Sequence, residues 1–243
     1  MTCPQLTRNF VTRERHYYYF GSEDDMVSTN IDSVRRAAIA GIVGATATAI
    51  GGLVVQAVIQ PSTAVSDERW SYPWSSSSLV PISILWASLH VLVFVGVLGF
   101  ARGGLAGKSR GARVGVALAL AGTALLFIGE LASIAVRDQQ VDDTGAELVG
   151  AIFAIAIVLS AVGFLSSGVA AIRACLWRGW RRYAPLGVGI WATVLLGLNM
   201  TKALPAGVAL YGLCLLALSV ALYTQPDPSS AAELTLRPQE QGA

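Results

Sequence analysis

The chain has 243 residues, of which 54% are hydrophobic and 13% charged, with a formal net charge of +2. Soluble domains carry about 25% charged residues, so a soluble protein with a large core is excluded, and the net charge is too small to point to nucleic acid. The three cysteines, Cys3, Cys175 and Cys214, lie far apart without a CxxC spacing, so no disulfide framework, no zinc or iron–sulfur site and no cofactor are expected.

Residues 1–36 are polar and mixed in charge, and they hold no apolar stretch of the kind a signal peptide needs. The cluster His16-Tyr17-Tyr18-Tyr19-Phe20 reads as an interfacial anchor, since aromatic rings favour headgroup depth; the alternative is that the natural chain starts at Met26. After Met26, Asp32-Ser33 reads as a helix cap ahead of Arg35-Arg36.

Six apolar segments follow, near 37–59, 80–101, 112–136, 148–172, 184–200 and 204–223. A bilayer crossing takes about 20 apolar residues, so the expected fold is an all-α integral membrane bundle of six transmembrane helices. The loops between segments alternate in charge. The second holds Arg102, Lys108, Arg110 and Arg113, and the fourth holds Arg173, Arg178, Arg181 and Arg182. The first and third are acidic, with Asp67 and Glu68, then Asp138, Asp142, Asp143 and Glu147. Of 17 Lys and Arg residues, only Arg69, Arg137 and Lys202 fall with the acidic loops. The positive-inside rule then puts both termini in the cytoplasm. The preference for Arg, Ala, Gly and Val suggests a GC-rich bacterial genome, hence a plasma (inner) membrane. The fifth segment is short, and the break at Asn199-Met200-Thr201-Lys202 and Pro205 is read as a tight hairpin. A re-entrant fifth segment would instead leave the C-terminus outside.

Trp70, Tyr72 and Trp74 in the first loop, and Trp177, Trp180 and Tyr183 in the fourth, suit headgroup depth on the two sides. Arg178, Arg181 and Arg182 suit contact with anionic lipid. Residues 224–243 are rich in Pro, Ser, Gln and Glu and read as a disordered tail.

Lipid offers no hydrophobic drive for helices to associate, so close crossings need small residues. Ala40, Gly44, Thr48 and Gly52 recur at four-residue spacing in the first segment, beside Gly41, Ala45 and Ala49. Ser160, Gly163, Ser167 and Ala171 share a face of the fourth. Ordinary bundle packing accounts for both stripes. No repeat relates the first three segments to the last three.

Glu130 is the one acid inside an apolar segment. It shares a helical face with Gly115, Ala119, Thr123 and Ser133, which argues that it faces the bundle. Such a residue is a functional candidate by default, because a charge at mid-membrane costs about 2.5–3.5 kcal/mol on insertion scales. His90, Trp86 and Gln56 fall in the same half of the membrane, and Asn199 and Lys202 at the final turn could reach inward. Together they would form an outward-facing polar pocket suited to a proton relay or a cationic substrate. The plainer alternatives are that Glu130 bonds a neighbouring helix and His90 satisfies an interhelical hydrogen bond. No second His or acid stands beside His90 to complete a metal site, and no phosphate loop, nucleophile elbow or metalloprotease motif is present, so no enzyme is expected. Two functions remain: a small transporter or permease with a protonatable Glu130, or a non-catalytic membrane subunit that packs against a partner protein or lipid.

Overall fold

The computed structural model describes residues 23–199 and 201–225, with side chains from 32 onward; the aromatic cluster at 16–20 and the tail from 226 lie outside the described residues. Among the described residues the chain forms six α-helices and no strand. Helix α1 (Glu23–Val54) continues through a π-helical turn at Val55–Ile59 and a last turn at Gln60–Ser62. Then come α2 (Ser76–Arg102), α3 (Arg110–Ala135), α4 (Thr144–Ala174), α5 (Ala184–Leu198, entered through a 3-10 turn at Gly179–Tyr183) and α6 (Leu204–Tyr223). Their starts follow local chemistry. The Ser75 side chain accepts from the Ser78 N–H, and the Ser109 side chain from the Ala112 N–H at 3.1 Å, each satisfying a donor that a helix N-terminus leaves free. Pro185 and Pro205 stand in the first turns of α5 and α6, where a missing N–H costs nothing. Asp32-Ser33, read from sequence as a cap, lies inside α1 instead.

Five of the six helices are long and apolar enough to cross a membrane. The remaining helix, α5, has 15 residues and extends only about 22 Å at 1.5 Å per residue, against a hydrocarbon core of about 30 Å, so helix length and composition carry five of the six expected spans. In the fold α5 bridges its two neighbours. It packs on α4 near its start, where Gly168 meets Leu186, and on α6 near its end, where Gly207 meets Leu195 and Leu198.

The helices form a closed ring. Each packs on its neighbours in chain order, and α6 returns to pack on α1. Small residues make the seams. A Cβ on Gly163 would collide with the Ala119 backbone, and one on Gly122 with Ser160, so the α3 and α4 backbones nearly touch. Gly115 meets Ser167 on the same seam. On α1, Gly44 fits against Leu92 and Leu89 of α2, while Gly52 fits against Pro205 and Ala209 of α6. The single stripe of Ala40, Gly44, Thr48 and Gly52 therefore serves two different neighbours, α2 at Gly44 and α6 at Gly52. Outward positions such as Ile39, Val43, Ile50, Ile84, Ile155 and Leu213 are exposed and aliphatic, as a lipid-facing perimeter requires.

The loops gather at two ends. At the acidic end, the first and third loops are stitched by Trp70 N–H to the Gln139 carbonyl (3.0 Å) and Val141 N–H to the Glu68 carbonyl (2.8 Å). The Ser76 hydroxyl donates to the Arg137 carbonyl at 3.3 Å. Lys202 of the last loop lies 2.9 Å from the Asp67 carboxylate. At the basic end, the bundle is packed solid by Phe100, Phe164, Val188, Leu218 and Leu222. Trp177 belongs to this plug: it is buried, with its ring centroid 5.9 Å from that of Phe100, so its ring packs inside the bundle and is not an exposed surface anchor. Trp180 and Tyr183 are exposed beside it. One cysteine expectation is also corrected, since Cys175, which closes α4 in a left-handed conformation, is disulfide-bonded; Cys214 is a free thiol.

Candidate functional site

Between the acidic end and the middle of the ring lies a cavity of about 900 Å³, near the top of the roughly 300–1,000 Å³ that small-molecule sites occupy. Every helix contributes to its wall. Thr48 of α1, Val93 of α2, Thr123 of α3, Ser160 of α4 and Leu215 of α6 reach furthest toward the basic end. Thr123 is 12 residues from the end of α3, so the floor is roughly 18 Å below the acidic end at 1.5 Å per residue. The space exists because the inward positions of α4 in this half are small, with Ala146, Gly150, Ala151 and Ala154 on the wall. The mouth is bordered by loop residues, among them Asp67, Arg69, Trp70, Tyr72 and Asp142, with Glu147 of the first turn of α4.

Of the residues singled out from sequence, Glu130, His90, Trp86 and Asn199 all line this one cavity. Glu130 approaches from α3. Trp86 and His90 approach from α2 and stand one helical turn apart, as a spacing of four residues dictates. Among the described residues, Glu130 has neither an ion pair nor a hydrogen bond to the protein, and nothing links it to His90. It is therefore not a tether between helices; its carboxyl is left for whatever enters the cavity.

Two of the sequence-derived residues are placed elsewhere. Gln56 sits in the π-helical turn of α1, and its side-chain oxygen accepts from the Ala206 N–H at 3.2 Å. That N–H is one of the donors a helix start leaves unpaired, so Gln56 caps α6 and does not border the cavity. Lys202 stays on the outer surface, paired with Asp67. The pair is solvent-exposed; the ammonium group holds the Asp67 carboxyl below the usual carboxylate range through their hydrogen bond, and the carboxylate raises Lys202 in return. Gly44, Gly52 and Gly115 lie on helix seams and not on the cavity wall.

Sequence reading missed several wall residues. Tyr211 is a hydroxyl-bearing aromatic in the middle of the apolar run of α6, within interaction range of Ser160. Phe153 packs its ring against Gly129 and faces the same space. Asp142 and Glu147, which entered the sequence reading as charges of the acidic third loop, border the mouth. An aromatic amid aliphatic residues was the available signal for Tyr211; for the acids there was none, because only the ring closure brings their loop over the opening. Thr123 donates to the Ala119 carbonyl at 2.8 Å, which leaves its oxygen only as an acceptor toward the cavity. Among the described residues no group of three His, Cys, Asp or Glu is placed to hold a metal ion.

Comparison with protein-family profiles, with curated proteins and with solved structures finds no match to this chain.

Proposed function

We propose that this chain is a six-pass bacterial membrane protein acting as a small transporter or permease, with both termini cytoplasmic and Glu130 as its titrating group. The observation that carries the reading is the cavity itself: a space of ligand size inside a closed ring, with an unpartnered carboxyl on its wall. The basic end is closed by the Phe100–Trp177 pair and its neighbours, so the arrangement resembles one half of an alternating-access cycle, open toward the acidic end. The positive-inside rule makes the acidic end the outer one. In six passes α5 crosses together with its 3-10 entry turn, which adds roughly 10 Å at about 2.0 Å per residue. No catalysis is assigned to the protein. The alternative of a passive membrane subunit accounts for the small-residue seams but supplies no reason for a carboxyl facing a ligand-sized space.

The test is reconstitution into liposomes loaded with a pH-sensitive dye, challenged with a panel of amines, quaternary ammonium ions, sugars and amino acids. The expected result is that at least one solute drives proton movement in the wild type and that Glu130→Gln abolishes it while eluting as a folded protein. Solute-driven flux that Glu130→Gln leaves unchanged, or no flux with any solute, would sink the reading.

A further inference from the structure

We infer that the ligand of this cavity is an organic cation with a bulky apolar body. The inference rests on the reading of the cavity as a substrate site and goes on to name the substrate class. Three observations support it. First, the interior carries a single acid, Glu130, with no protein cation against it. A carboxyl buried on the wall of the bundle is best compensated by a positive charge brought by the ligand. Second, aromatic side chains line the same cavity. Trp86 and Phe153 share the acid's half of the cavity and Tyr211 stands deeper; a ring face attracts a desolvated cation, tryptophan most strongly. Third, the mouth has the same polarity. Asp142 and Glu147 border it against Arg69, with Asp67 neutralised by Lys202, an excess of negative charge that favours cations over anions. The rest of the wall mixes aliphatic residues such as Ala154, Val93 and Leu215 with the neutral polar Thr48, Ser160 and Asn199. It accepts a large apolar body and supplies no second charge to the interior.

The test uses two ions of one shape and opposite charge, tetraphenylphosphonium and tetraphenylborate. Each is titrated calorimetrically into the purified full chain in detergent micelles, with protein-free micelles as the blank. The expected result is saturable binding of the cation at least tenfold tighter than that of the anion. Glu130→Gln should weaken cation binding about tenfold or more, and Trp86→Ala by about threefold or more, with Trp86→Phe recovering most of that loss. Equal affinity for the two ions, or cation binding unchanged in both Glu130→Gln and Trp86→Ala, would overturn the inference. If the cation binds at Glu130 yet no solute moves protons in liposomes, the substrate class stands and the transport reading falls. If a neutral solute is transported and the two ions bind alike, transport stands and the substrate class falls.

Discussion

The two halves of the ring are built from the same six helices and differ in what their inner faces carry. Toward the basic end the inward positions hold Phe100, Phe164, Trp177, Leu218 and Leu222, and the centre is filled. Toward the acidic end they hold Thr48, Ala146, Gly150, Ala154 and Ala192, and the centre is hollow. The seams between helices do not account for the contrast, because tight glycine contacts occur in both halves: Gly115 on Ser167 near the basic end, Gly52 on Pro205 near the acidic end. The small inward residues of α4, Ala146, Gly150, Ala151 and Ala154, open the space in the acidic half. In such a bundle the filled half holds the ring together, and the hollow half, with the unpartnered Glu130, is free for a ligand.

That division predicts a graded series of effects. The largest should come from the seam that both halves share. Gly163→Leu places a side chain against the Ala119 backbone, where nothing flexible can yield; losses above about 4 kcal/mol follow from defects of this kind, and size-exclusion chromatography should show no monodisperse folded species. Next comes the plug. Phe164→Ala leaves a void among fully buried neighbours and should cost about 3–5 kcal/mol, read by unfolding in mixed detergent–dodecyl sulfate micelles. The matching change in the hollow half, Ala154→Phe, fills space that is already empty and should cost less than about 1 kcal/mol, because it neither opens a void nor overpacks a dense core; comparable losses at the two positions would erase the contrast. The smallest effect belongs to the rim. Asp67 is held below its usual range by Lys202. The stability of their pair is therefore present above the ordinary carboxylate range and lost as pH falls through the lowered Asp67 value. The melting temperature of Asp67→Asn should differ slightly from wild type near neutral pH, and that difference should vanish in strong acid and shrink in high salt.

Much of this fold was legible because apolar runs bounded by charged loops have one physical solution. The six segments coincide with the six helices to within a few residues at most ends, and the small-residue faces at Gly44, Gly52, Gly115 and Gly163 became seams. What failed were inferences from neighbours in sequence. Trp177 sits among arginines in the chain yet is folded inward onto Phe100, because the fourth loop tucks under the ring. Gln56 and Lys202 were assigned inward from depth alone. Their partners, the Ala206 N–H and Asp67, lie on other segments and became visible only when α6 closed on α1. The convergence of Glu130, His90 and Trp86 followed from counting residues along each helix, since equal depth on inward faces is enough. The empty space between them was not legible, because a run such as Gly150-Ala151 reads the same whether it faces a neighbour, lipid or a void.

The most direct test of a hollow half beside a filled one is thiol labelling. Ala154→Cys and Val188→Cys put a thiol on the cavity wall and in the plug; each is treated with a trimethylammonium-bearing methanethiosulfonate and read by intact mass as the increment over wild type. The account predicts prompt modification at position 154, slowed when Glu130→Gln is added, and none at position 188 in the folded protein. Equal labelling of the two positions, or a rate at 154 indifferent to Glu130, would contradict it.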